Sequence, residues 1–541
     1  MDIELLIENM SLEEKVGQLC VPILQKNEIT DDLIKYVTEY KAGMLRYCPN
    51  AEFDNNSEVV GEPNKYLKPS ETAEFINSIQ RMAKIPLFIA VDQEGSTRND
   101  INRANAFAYS GHMSFCAADD IGLTYRVARA TGREFASMGI NLVQAPIVDV
   151  VAYSGRKTIK SASFGENVQK VCDHSLAMMK GFKDGGIASM AKHFPGYGSV
   201  AADAHKGNAE IFKTFNALDS EDIEPMKVLF RNGLNGVMTG HAITHCIDSD
   251  YPATLSKKVI SDYLRGTLGF NGIVETDAMR MRAIQDKYGT GAASVMAINA
   301  GCDLVLLRGN LAHFSEGYEA IYKAVISGEI PVGRIDESVR RILRQKNEIS
   351  LLDNPFVNPK SADFIVGCKE HTELAKALAK KSVSALKRNG LPVSKTKRTL
   401  VVSVEPQKIH AAQDNLQCVD MLYKAVCSRM PRTDSIITKL NPENDKIQKI
   451  SQLAKEYELI ILGTCNAIIH ENQQLMAKAL YDTGKQLIIV AMDSPYDIEL
   501  MPYAESFIAT YGVSAASMHA AADVIIGKET GNAKPPVTLT F

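Results

Sequence analysis

Residues 191–207, AKHFPGYGSVAADAHKG, set lysine, histidine and aspartate side chains among glycines and alanines directly after a short apolar run. Asp203 and His205 stand two apart. In an extended segment, side chains at i and i+2 share a face, so the carboxylate can accept a hydrogen bond from the imidazole. That bond fixes the ring's tautomer and raises its basicity. His205 could then give a proton to a leaving oxygen and later take one from water. A D-x-H string also occurs in surface loops that do no chemistry. This one is set apart by its place between a strand ending in Lys192-His193 and a glycine-rich flap.

Other reactive residues close apolar runs. Asp92 ends LFIAVD, Asp149 lies at the end of APIVDV, His241 follows GVMTG, and Asp277 ends GIVETD. Singly, a strand-end aspartate also reads as a helix cap or loop anchor. Three acids, two histidines and a lysine converging on one place exceed what packing needs. Asp277 follows an apolar strand and precedes AMRMRAIQ, which leaves two readings. Its carboxylate points into a pocket, where it can attack an acetal carbon and hold a covalent glycosyl intermediate. Alternatively, it is the N-cap of the helix that follows.

Such residues need a scaffold that gathers strand ends. Apolar or β-branched runs recur through the first domain: IPLFIAVD (85–92), NLVQAPIVDV (141–150), IASMAKHF (187–194), GVMTGHA (236–242), NGIVETD (271–277) and CDLVLL (302–307). Segments with 3.6-residue spacing lie between them, including one ending on Gly139 and one starting at Ser256. This alternation predicts a TIM-type (β/α)8 barrel over residues 1–350, with its reactive groups at the carboxyl ends of the strands. A charged helix closes the pattern, and an Asn/Pro-rich linker follows at 351–365. TLVVSVE, LIILGT, QLIIVAMD and SFIATYG then predict a smaller α/β/α sandwich over 366–541.

A formal net charge of −4, with no basic block, argues against a nucleic-acid partner. No run approaches the roughly 20 apolar residues of a transmembrane helix. The opening MDIELLIENM reads as an acidic amphipathic helix rather than a secretory leader. A cytoplasmic protein is expected, its ten scattered cysteines reduced. His241 and His245 have i, i+4 spacing, but a zincin needs glutamate where Ala242 stands. No metal site is expected; His241 is read as lining the pocket and His245 as incidental. No dinucleotide or phosphate-loop motif occurs, so no cofactor is expected. The partner is a small-molecule or oligosaccharide substrate, and the chain is a monomer or homodimer.

VDQEG, KHFPGYG, the spaced DAH, PATLSKKVISDYLRGTLGFNGIVETDAM, AGCDLVLL and RRILRQK follow one another as in family 3 glycoside hydrolases. The chain resembles that family through almost all of its first domain. The Asp-x-His pair is similar to the β-N-acetylglucosaminidase branch, whereas most β-glucosidases of the family draw a glutamate acid/base from the second domain. The resemblance implies that Asp277 is the nucleophile, His205 the acid/base and Asp203 its partner. Asp92, Lys192 and His193 would hold hydroxyls of the −1 sugar, with Tyr197 and His241 in the same pocket. The implied reaction is retaining hydrolysis of a terminal β-linked N-acetylhexosamine in cytoplasmic turnover of cell-wall or chitin fragments.

The chain departs from the family pattern at defined places. Ala162 in SASFG stands where relatives carry a sugar-gripping arginine, Arg98 is displaced by one position in DQEGSTR, and Tyr197 replaces the second histidine of PGHG. Arg156 and Lys160 are the nearby cations that could replace the arginine. Alternative readings are a β-glucosidase or glycoside phosphorylase of the same family, or a non-catalytic sugar-binding relative.

Overall fold

In the computed structural model, residues 2–49, 52–53, 59–60, 67–96, 98–100, 109–200, 209–404 and 420–541 are described. Eight parallel strands form the first sheet: β1 Cys20–Leu24, β2 Met44–Tyr47, β3 Phe88–Gly95, β4 Leu142–Gln144, β5 Ala188–Phe194, β6 Gly236–Thr239, β7 Ile273–Thr276 and β8 Val305–Leu307. They run in the order β7-β6-β5-β4-β3-β2-β1-β8. The ends of this order meet through the Glu275–Leu304 bridge and the bonds from Thr276 N to Leu304 O and from Met279 N to Leu306 O. The sheet is thereby almost closed into a barrel. β3 is buried at all eight positions, as expected for a parallel strand covered on both faces. β1 and β2 are short and carry Pro22 and Arg46, and the sequence pattern did not mark them.

Helices lie outside each strand. The helix Val332–Glu348 shows how periodicity places them: Ile335, Ser338, Val339, Ile342, Leu343 and Lys346 fall on its buried stripe. The segment Lys258–Thr267 is wound as a π-helix, and the Ser256 hydroxyl accepts a hydrogen bond from Val259 N at 3.2 Å at its start.

After the barrel, the helices Pro359–Ile365 and Lys369–Ser382 contribute Ala362 and Leu378 to the barrel's core. The second sheet comprises β9 Ser384–Arg388, β10 Thr399–Val404, β11 Thr433–Thr438, β12 Leu459–Thr464, β13 Gln486–Ala491 and β14 Ser506–Ala509. Its order is β9-β14-β13-β12-β10-β11, parallel except for antiparallel β9. Helices cover both faces over two apolar clusters. Against the four or five parallel strands expected, the sheet has five and adds the antiparallel edge β9; the other edge, β11, TDSIIT, is only partly buried and lacks the apolar run that marks the inner strands.

The carboxyl ends of the sandwich strands face the rim of the barrel. Asp493, just after β13, accepts hydrogen bonds from Ser96 at 3.0 Å and from Ser161, both on barrel loops. Tyr511 O accepts from Gly111 N at 2.7 Å. Pro536 O accepts from Glu166 N at 3.2 Å, and Thr538 bonds both Glu166 and Arg156.

Candidate active site

The carboxyl ends of the barrel strands collect Asp92, Asp149, Lys192, His193, His241 and Asp277, six of the residues that the sequence singled out. Lys192, on β5 and 2% exposed, donates from Nζ to Asp92 at 2.5 Å and to Glu94 at 2.7 Å. Asp92 and Glu94 are two apart on β3, so the pleat turns both toward the barrel interior. From β2, Arg46 reaches the second oxygen of Asp92 at 2.5 Å, and it also donates to Asp100 and to Gln144 on β4. An ammonium held by two carboxylates keeps its proton. Burial alone would lower Lys192's pKa, but Asp92 and Glu94 raise it well above the usual lysine value. Glu94 and Arg46 escaped the sequence reading. Glu94 carried a usable signal, its i+2 position after Asp92; a single arginine in a four-residue strand carried none.

β4 ends early, and the chain continues extended, with Val148 N bonded to Lys192 O at 2.8 Å, to Asp149. Asp149 is fully buried and accepts three bonds, from His193 Nδ1 at 2.8 Å, His193 N at 3.3 Å and Tyr197 N at 2.6 Å. Burial would lower the His193 pKa, but the Asp149 carboxylate, with Asp277 further off, raises it. Tyr197 packs its ring 5.4 Å from that of His193 and over Gly240, where an added Cβ would lie 2.5 Å from the Tyr197 ring. Glycine is required there because the tyrosine fills the space.

Asp277 follows β7 and is half-buried. Its Oδ1 accepts from Ala278 N at 2.7 Å, and its own N–H donates to Thr239 O at the end of β6. The next helix begins at Arg282 with Met281 as N-cap, so Asp277 is not the cap of that helix. His241 is buried. Its Nε2 donates to Ala278 O at 3.0 Å, and its Nδ1 pairs with Thr254 Oγ1 at 2.9 Å. Nε2 therefore holds the turn that carries Asp277, while Nδ1 ties the ring to Thr254. His245 lies outward, stacked on Phe212 at 4.5 Å.

Asp203 and His205 lie outside the described residues. The flanking segments are described: the loop to Val200 packs against residues 152–158 through Ala152 N to Gly198 O and Thr158 Oγ1 to Val200 O. Ala162 is buried on the neighbouring loop. Arg156 is committed elsewhere. Its guanidinium pairs with Glu499 at 2.8 Å, bonds Thr538 O and lies between the rings of Tyr153 and Tyr496. It fastens the two domains. Lys160 is buried and has φ +54°, a backbone region that favours glycine.

Among the described residues, no group of three or more histidines, cysteines or acids is placed to hold a metal ion. No helix among them is long and apolar enough to cross a membrane.

A buried lysine–carboxylate cluster, a histidine–aspartate pair and a further half-buried aspartate, all at the mouth of a parallel barrel, define a polar site of the kind that grips hydroxyls beside a carboxylate. A model of the glycosyl hydrolase family 3 N-terminal domain matches residues 11–345. The structure superposes with a TM-score of 0.91 on a family 3 β-N-acetylglucosaminidase from Paenibacillus sp. str. FPU-7, 30% identical, covering 98% of this chain and 99% of that one. In sequence it is 26% identical to β-hexosaminidase A of Pseudoalteromonas piscicida over 94% of this chain and 91% of that protein. It is 29% identical to β-glucosidase C of Emericella nidulans over 72% and 66%. The chain belongs to glycoside hydrolase family 3, and it is a glycosidase.

Proposed function

We propose that the protein is a retaining β-N-acetylhexosaminidase that removes a terminal β-linked, N-acetylglucosamine-like sugar. The observation that carries this reading is the lysine locked between Asp92 and Glu94 at the mouth of the barrel, the same strand-end face on which Asp277 follows β7. The lysine and its carboxylates are built to hold sugar hydroxyls, and Asp277 is built to attack. The β-N-acetylglucosaminidase structure matches nearly the whole chain at 30% identity, above the 16–20% of the β-glucosidase and β-glucoside phosphorylase structures, which favours the N-acetyl sugar.

Asp277 would attack the anomeric carbon as the bond to the leaving oxygen breaks, giving a glycosyl ester. His205, tuned by Asp203, would give that oxygen its proton. It would then take one from an incoming water, which releases the sugar with its configuration retained. Asp92, Lys192, His193 and Tyr197 would bind the −1 sugar. His241 acts one step back, as the residue that holds the Asp277 turn. The setting assigned to this chemistry is cytoplasmic turnover of cell-wall or chitin fragments, on free oligosaccharide and without nucleic acid or membrane.

The test is release of nitrophenol from β-linked N-acetylglucosaminide, N-acetylgalactosaminide, glucoside and xyloside, each with and without phosphate. Turnover confined to the N-acetyl sugars, and lost in both Asp277→Asn and His205→Ala, is the expected result. Preference for the glucoside, or dependence on phosphate, moves the assignment to a glucosidase or phosphorylase. Affinity with no turnover in the wild type replaces it with a sugar-binding relative.

A further inference from the structure

Directly below Asp277 the barrel interior is polar, and its charges do not pair off. Arg46 donates to Asp92, Asp100 and Gln144, and Lys192 donates to Asp92 and Glu94. Glu275, on β7 two residues before Asp277 and fully buried, has a neutral partner instead. Gln144 Nε2 donates to its Oε2 at 2.7 Å. Arg46 has only donors and occupies Gln144 Oε1, so the amide can present only its NH2 to Glu275. The other oxygen, Oε1, has no hydrogen-bond partner among the described residues. At this level β6 contributes Met238 and the residue just before β8 is Leu304, neither of them titratable. A buried carboxylate with one neutral donor and no cation of its own is far less stable than the protonated acid.

We propose that Glu275 is a positioning residue that holds its proton at neutral pH, so that Asp277 is the carboxylate that acts as nucleophile at that end of β7. The inference rests on the reading of Asp277 given above. The Glu275 pKa is raised to about 8: burial is the largest cause, Gln144 and Arg46 offset part of it, and the charges of Asp92 and Asp277 add to it. Once ionised, Glu275 would add a second negative charge near the attacking carboxylate and pull on the Gln144–Arg46–Asp92 chain that leads to the sugar.

The first measurement is the rate at which 5-fluoro-N-acetylglucosaminyl fluoride labels Asp277, followed by mass spectrometry from about pH 6 to 10. Fluoride leaves without a proton from His205, so the profile reports on the nucleophile's side. Wild-type labelling should fall about tenfold per pH unit above about 8. In Glu275→Gln the rate should stay flat for at least about one unit further and match the wild type within roughly threefold near neutrality. Gln144→Met, which removes the neutral donor, should move the wild-type limb to higher pH. Superimposable limbs in all three proteins overturn the proposal.

The second measurement needs no activity. A carboxyl whose pKa is raised by folding binds more protons in the folded state between its ordinary value near 4.5 and about 8. Its stabilising contribution is full below that window and is lost as pH rises through it. The melting temperature of the wild type relative to Glu275→Gln should therefore drop by several degrees across the window; a constant difference overturns the proton assignment. If neither protein is labelled while the melting curves behave as expected, the nucleophile assignment and the positioning role fall together, and the buried proton stands.

Discussion

The barrel buries one lysine at its mouth and another at its floor, and the two are held in opposite ways. Lys192 meets two carboxylates, within 2.5 and 2.7 Å, and its pKa is raised. Among the described residues Lys346 has no charged partner of that kind: Nζ donates to Gln18 Oε1 at 2.8 Å and lies 5.6 Å from the Phe88 ring centre. Burial alone lowers its pKa to about 7. The mouth keeps a charge by surrounding it with opposite charge, whereas the floor tolerates an amine by letting it go neutral. The mouth lysine is held by opposite charge against its desolvation cost, and the floor lysine, a near-neutral amine in a helix's apolar stripe, is a matter of packing.

The sharpest way to break this comparison is Lys192→Met. It should cut kcat/KM by at least about a thousandfold, roughly 4 kcal/mol in transition-state binding. It should also destabilise the fold by about 3–5 kcal/mol, because Asp92 and Glu94 are left buried around a thioether. A stable Lys192→Met enzyme with ordinary turnover would end the functional reading of the cluster. His241→Ala ranks next. Losing the bonds to Ala278 O and Thr254 frees the Asp277 turn, and kcat should fall about 10–100-fold with KM changed little. Steady-state kinetics on a good substrate decides it.

Lys346→Met tests the floor. The unfolded chain binds more protons than the folded one between about 7 and the ordinary lysine value near 10.5. Wild-type stability should therefore rise with pH across that window. The variant escapes the cost of charging a buried amine. It should be more stable by on the order of 2 kcal/mol near pH 6, an advantage that fades as the solution becomes alkaline, with turnover unaffected. Thermal unfolding at several pH values checks this, and a variant less stable than wild type in acid refutes it. Arg156→Ala should have the smallest effect, about 1–2 kcal/mol from the lost pairing with Glu499. It is expected as earlier unfolding of the sandwich and a modestly raised KM rather than a lower kcat.

The same contrast explains what the sequence revealed. Asp92, Lys192, His241 and Asp277 were legible because an apolar run that stops abruptly on a polar residue marks the end of a buried strand. Arg46, Gln144 and Glu275 were not, because each interrupts an apolar run from within and reads as a flaw in the strand. For Glu275 the alternation of a strand held the answer: two residues before an inward aspartate is another inward position. Lys346 was hidden in RRILRQK, where its 3.6-residue register, rather than its charge, put it inside. Arg156 could not have been placed from sequence, since its partners Glu499 and Thr538 are more than three hundred positions away.

That distance gives the segment around residues 536–540 a temporal meaning. Pro536 and Thr538 stitch the sandwich to the loop at Gly165–Glu166, and Thr540 N bonds Glu499. A ribosome makes the whole barrel before it makes these residues. The barrel can close early, but the rim above its reactive end is finished only after the sandwich has been synthesised and folded onto it. Through that interval the barrel loops at Ser96, Ser161 and Glu166 lack their hydrogen-bond partners on the sandwich.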